Sequence, residues 1–314
     1  MKFIVLLAAI APPLLILSYG IGKARASWRS EAIWNAFLIG AVGALAAVTI
    51  ELALGHLLPL ERIGPVAAAA FKSVLMAAIP EEAVKFFVLI YLVEKHVDVR
   101  RLQDLLALAL AVSLGFATLE NFGYVISTGG WTKVAALRAI TAVPGHGIDG
   151  LAMGALLIRA RLSGRAEDVR LALIVPVLLH AAYDFPLMAL QKQGDAGKGW
   201  LVVIWLATIA ASSAFVIPLC GRMLAKAVDY DLAAGQDRNS TEAANWLIAG
   251  GAVVLIAGPV LAAWSYHASG AEVASVAAAL SVFPLAFGID AIRSGLKQRR
   301  RRLPVVHQTL DCAG

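Results

Sequence analysis

Charge is what this chain most lacks. Of its 314 residues, 15% are charged and 60% hydrophobic, and the mean hydropathy is +0.78. A soluble domain of that length needs far more charge to cover its surface, so a soluble globular fold is excluded. Cysteine is scarce as well, with Cys220 and Cys312 alone. Both fall on the cytoplasmic side of the topology developed below, which argues against a structural disulfide and leaves no thiol nucleophile at membrane depth. No serine lies near the middle of the fifth or sixth apolar run, and no His-Glu-x-x-His is present, so serine chemistry and the best-known zinc-protease signature are both missing. The net charge of +6 sits in short loops between apolar runs. Such placement sets topology and meets anionic headgroups, and it argues against nucleic acid as a partner.

What the chain does have is apolar runs of membrane-crossing length, repeated from end to end. They fall near residues 3–21, 31–54, 66–93, 105–126, 134–158, 171–190, 200–220, 244–266 and 271–292. The pattern predicts an all-α, polytopic transmembrane bundle of about nine spans. The first run resembles a signal peptide, with Ala24-Arg25-Ala26 as a cleavage candidate. Lys23, Arg25 and Arg29 after it outnumber Lys2 before it, which predicts instead an uncleaved first helix with its N-terminus outside. Alternate loops differ in basic content throughout. One set holds Lys95, Arg100 and Arg101, then Arg159 to Arg170, then Arg222, Lys226 and Arg238, then the tail with Arg299 to Arg302. The opposite set holds only Arg62, Lys133, Lys192 and Lys198. The positive-inside rule then puts the N-terminus out and the C-terminus in, in a multi-pass protein of the plasma membrane. Expected divisions are helices 1–2 over 1–65, a core of helices 3–6 over 66–190, helices 7–9 over 191–293, and a basic cytoplasmic tail over 294–314.

Four consecutive spans carry ionisable residues near their centres. The third has Pro80-Glu81-Glu82-Ala83-Val84-Lys85, the fourth Glu120-Asn121, the fifth Pro144-Gly145-His146-Gly147-Ile148-Asp149, and the sixth His180 with Asp184. At 1.5 Å per residue each group lies roughly 15–25 Å from its membrane boundary. A charged side chain at that depth costs roughly 2.5–3.5 kcal/mol on insertion scales and marks a functional site by default. Four clusters at one depth imply a shared, water-containing cavity. Lys85 follows Glu81 by four and Glu82 by three, so it can serve as counter-ion to either. Two adjacent carboxylates raise the affinity of one for a proton, which suits a general base. Asp149, three after His146, and Asp184, four after His180, could each fix the tautomer of its histidine. The prolines predict an opened backbone beside Glu81 and an outright break around His146. Glu51 and Arg138 read as interfacial side chains, and Asn121 as either a site residue or a helix-to-helix hydrogen bond.

In order and spacing, Glu81-Glu82-x-x-Lys85, Phe116-x-x-x-Glu120-Asn121, His146-x-x-x-Gly150 and His180-x-x-x-Asp184 resemble the PrsW family of intramembrane proteases. That family is a distant relative of the CAAX-prenyl-protease and bacteriocin-processing membrane peptidases. Those wider relatives tend to carry Arg one residue beyond the position of Lys85, and His in place of Glu120, so the likeness is to the PrsW branch. The resemblance implies cleavage of a single-span membrane protein, such as an anti-sigma factor, with Glu81, Glu82, His146 and His180 as the catalytic set. Lys85, Glu120, Asn121, Asp149 and Asp184 would support them.

Two versions of the chemistry fit these residues. In one, Glu82, His146 and His180 are candidate ligands of a single zinc-type divalent ion with an open water position. In the other, a glutamate and a histidine activate the water directly. Either glutamate could be the base. Competing functions are a proton-coupled transporter, which uses similar midplane residues but commonly shows repeated halves, and a non-catalytic membrane scaffold.

Overall fold

The computed structural model describes residues 2–24, 31–58, 60–95, 101–128, 131–190, 198–235, and 289, 292 and 293. Two of the predicted spans, 244–266 and 271–292, fall almost wholly outside these residues, as do the basic tail and Cys312. Among the described residues every regular element is helical: α1 (Lys2–Lys23), α2 (Glu31–Leu57), a 3-10 turn (Leu60–Arg62), α3 (Pro65–Phe71), a π-helical stretch (Lys72–Ala78), α4 (Ile79–Lys95), α5 (Leu102–Ser127), α6 (Trp131–Ile140), α7 (Ala142–Ser163), α8 (Ala166–Leu190) and α9 (Lys198–Ala233). Five of them are long and apolar enough to cross a membrane: Leu6–Lys23, Glu31–Leu57, Leu102–Ser127, Ala166–Leu190 and Gly199–Ala233.

The third and fifth predicted spans are built differently from the others. The third is a helical rod whose winding widens between α3 and α4. There the Ile79 N–H reaches back five residues to the Val74 carbonyl. Pro80, which has no N–H to give and whose ring crowds the preceding turn, follows at once. A π-helical turn makes room for it, and such turns recur at functional sites. The fifth span is broken at Thr141, whose backbone (φ −128°, ψ −68°) is not helical. The break therefore precedes the Pro-Gly-His-Gly run and does not fall within it. Pro144 lies in the first turn of α7, where its missing N–H would have had no intrahelical partner, and α7 continues unbroken through His146.

The centre of the bundle is α5. Its N-terminal half, from Leu105 to Ala117, is apolar on all sides and buried on all sides. It packs chiefly between α2 and α7, with α1 alongside. Where α2 crosses it the backbones touch: a Cβ on Gly115 would lie 1.9 Å from the Phe37 carbonyl oxygen, and one on Gly40 2.2 Å from that of Val112. Lipid supplies no hydrophobic drive between helices, so close approach of this kind is a main source of association. On the other side, Gly150 of α7 meets α5 at Ser113. The Ser113 hydroxyl there donates to the His146 carbonyl at 2.7 Å, which fixes the height of α7 against α5. The start of α5 is capped from a distance: the buried Asp231 carboxylate of α9 accepts the N–H groups of Leu102 (2.8 Å) and Gln103 (3.2 Å). Cys220, also on α9, is buried and donates to the Leu151 carbonyl at 3.3 Å.

Candidate active site

Glu81, Glu82, Lys85, His146 and His180 are all nearly or wholly buried, and they meet at one point between α4, α7 and α8. The Lys85 ammonium donates to Glu82 Oε1 at 2.7 Å and to Glu81 Oε2 at 3.4 Å. It also lies 3.0 Å from His146 Nδ1 and 4.3 Å from the centre of the Phe116 ring. An ammonium has only donors, so His146 Nδ1 must present its lone pair to it. The ring proton is then on Nε2, which donates to Glu120 Oε2 at 2.6 Å. The His180 ring stands edge-on to that of His146, centroids 5.4 Å apart. Both of its nitrogens face carboxylates: Nδ1 is 2.8 Å from Glu82 Oε1, and Nε2 is 3.3 Å from Asp184 Oδ2.

The structure distributes the supporting residues differently from the expectation in two respects. Asp149 is not the partner of His146; its Oδ2 lies 4.0 Å from His180 Nδ1. Three residues along a continuous helix, Asp149 is nearly a turn further on and meets α8, while the His146 ring turns toward α4 and α5. Its carboxylate neighbour comes from Glu120 on α5. Arg138, read as interfacial, instead reaches into the site. Its Nε donates to Asn121 Oδ1 at 2.6 Å, and its Nη2 lies 2.8 Å from Glu120 Oε2, an ion pair rather than an aligned hydrogen bond. The only sequence signal for this was an arginine inside a predicted span, four residues from the start of the 134–158 run. The Tyr183 hydroxyl donates to Thr141 Oγ1 at 3.0 Å, which ties the break between α6 and α7 to α8.

A cavity of about 1680 Å³ opens beside the cluster. Glu81, Glu120, His146 and His180 form part of its wall, whereas Glu82 and Lys85 are not among its lining residues. The rest is largely apolar and includes one face of α1 (Leu7, Ala11, Leu15) and residues of α9 (Trp205, Ile209). Glu51, expected at the membrane boundary, also lines it.

Glu81, Glu82, His146 and His180 can each offer one ligand atom such that all four lie within 4.8 Å of one another. The buried Glu82 Oε2 has no hydrogen-bond partner, an arrangement that is costly unless something occupies it. Two imidazoles and two carboxylates suit a zinc-type ion, and Glu120 behind His146 and Asp184 behind His180 supply the outer carboxylates that metal-bound histidines commonly have. The donor set therefore fits a metal, provided the Lys85 ammonium gives up the His146 Nδ1 lone pair that it now faces.

The family model described as PrsW family intramembrane metalloprotease matches residues 29–213. Protease PrsW of Bacillus subtilis (strain 168) is 33% identical over 207 residues, covering 65% of this chain and 91% of the relative. Protease PrsW of Oceanobacillus iheyensis is 30% identical over 207 residues (64% and 91%), and that of Clostridioides difficile (strain 630) 28% over 194 (60% and 81%). No solved structure gives a significant match.

Proposed function

The chain belongs to the PrsW family of intramembrane metalloproteases, and on that premise we propose that it cleaves a single-span membrane protein, of the anti-sigma-factor type, at the cluster of Glu81, Glu82, His146 and His180. The observation that carries this reading is the meeting of those four side chains from three helices within 4.8 Å, beside a largely apolar cavity of about 1680 Å³. Small-molecule pockets run to about 300–1,000 Å³, so a larger apolar space suits a polypeptide segment. The family match favours hydrolysis over the proton-coupled carrier and the scaffold.

The two glutamates take different parts. Glu82 is fully buried and tied by one oxygen to both Lys85 and His180. Glu81 has only longer contacts, 3.4 Å to Lys85 and 3.9 Å to His180, and borders the cavity. Glu81 is therefore the general base: its carboxylate takes a proton from water as the water oxygen bonds to the scissile carbonyl carbon. The same carboxyl returns that proton to the amine as the C–N bond breaks. Glu82, His146 and His180 would hold the metal, with Lys85 as counter-ion to the glutamate pair. When bound, such an ion lowers the pKa of a water and polarises the carbonyl. Glu120 keeps His146 in the tautomer that leaves Nδ1 facing the cluster, and Asp184 orients His180. The apolar walls from α1 and α9 limit bulk water around the bond being cut.

The test is cleavage of a single-span reporter in proteoliposomes by the wild type and by E81Q, E82Q, H146Q and H180Q, with folding checked by thermal melting. Loss of cleavage in all four is the expected result; wild-type cleavage by the folded variants would remove this cluster from the reaction.

A further inference from the structure

Arg138 sits on α6, a helix of ten residues that borders the cavity, and the PrsW resemblance gives it no part. Its guanidinium makes three contacts with one face of α5: the Asn121 side-chain oxygen at 2.6 Å, Glu120 Oε2 at 2.8 Å, and the Tyr124 ring at 4.1 Å from its centre. Position 124 shares that face with 120 and 121 because it lies four and three residues from them on a helix. The planar fork of an arginine can satisfy an amide oxygen and a carboxylate together while stacking on a ring; a lysine ammonium cannot. Glu120 Oε2, the oxygen Arg138 holds, is also the one that receives the His146 Nε2 proton at 2.6 Å.

We propose that Arg138 is a positioning residue for His146, acting through Glu120. Lys85 forces the Nδ1 lone pair toward the cluster only while the ring stays in its present orientation. That orientation depends on a carboxylate standing still behind Nε2. Glu120 is 18% exposed and borders the cavity, so without Arg138 its side chain has room to swing out of line. The Arg138–Glu120–His146 series then loses its first anchor, and the histidine can populate the other tautomer or turn away. This inference rests on the assignment of His146 to the reacting cluster, yet its primary measurement needs no activity.

Full-length protein labelled with nitrogen-15 histidine in detergent micelles reports the tautomer of each ring, with H146Q assigning the His146 signals. The wild type should show His146 as a single neutral tautomer with Nε2 protonated. R138M should show both tautomers, and N121A, which leaves the Glu120 contact in place, should show one. In reporter cleavage, R138M should lower kcat about 10–100-fold, the usual loss on removing such an outer partner, with KM unchanged. R138K should recover part of it. In an E120Q background, R138M should cost nothing further, because both changes break the same series. Unchanged His146 signals in folded R138M would overturn the proposal, as would losses that multiply in the double variant. Should R138M not fold, R138Q, which removes the charge that pairs with Glu120, carries the same tautomer test: mixed tautomers support the proposal and a single Nε2-protonated form overturns it. A wild type that cleaves no membrane-spanning reporter would count against the protease reading and leave the tautomer result standing.

Discussion

Replacing Lys85 by Met removes the ammonium beside the buried Glu82 carboxylate and leaves His180 as its one remaining ion-pair partner among the described residues. Lys85 is 1% exposed and Glu82 0%, and no other basic side chain besides His180 lies within ion-pair reach of Glu82 among the described residues. Breaking a buried ion pair by removing one partner typically costs about 3–5 kcal/mol, because the remaining charge is uncompensated. That is about a fifth or more of the stability of an ordinary domain, about 5–15 kcal/mol. Glu81 contributes less to the loss: its contact to Lys85 is longer, 3.4 Å, and its position on the cavity wall allows hydration. The measurement is reversible unfolding in mixed micelles, made in the presence of a chelator so that no metal ion replaces the ammonium. K85M should lose about 3–5 kcal/mol, and K85M/E82Q should regain most of it, since a neutral amide leaves no lone buried charge. A K85M variant as stable as the wild type would refute the reasoning, and so would a double variant no better than the single.

Two further outcomes concern the scaffold. G115V should lose about 1–3 kcal/mol or more by overpacking, because its first side-chain atom would stand 1.9 Å from the Phe37 carbonyl oxygen; G123A, with nothing within 4 Å, should behave as the wild type in the same melt. D231A should cost about 0.5–2 kcal/mol, the range for a lost helix cap, and hydrogen exchange should speed up at the Leu102 and Gln103 amides, which its carboxylate accepts. At the site, D184N should reduce reporter cleavage more than D149N, because Asp184 is 3.3 Å from a His180 nitrogen and Asp149 4.0 Å.

Spacing along a single helix was legible in the sequence; the pairing between helices was not. Charges near the middle of apolar runs marked Glu81, Glu82, Lys85, His146 and His180, and the four-residue step from His180 to Asp184 matches the contact the structure places there. Asp149 went to the wrong histidine because the rotation of α7 about its axis, set by Gly150 against Ser113, decides which neighbour each side chain faces. Arg138 was hidden for a related reason. With the break expected around His146, Arg138 stayed near the boundary of the 134–158 span, whereas the break at Thr141 makes α6 a separate short helix beside α5. The π-helical widening before Pro80 has no sequence signal beyond the proline itself.

The division of labour between the two glutamates is the sharpest claim, and bound metal per chain measured beside cleavage rate tests it most directly. E81Q should retain the metal of the wild type while cleaving a single-span reporter about a hundredfold more slowly or worse, as loss of a general base entails. E82Q should lose both metal and cleavage. An E81Q variant that cleaves at the wild-type rate, or an E82Q variant that keeps its metal and its activity, would contradict the account.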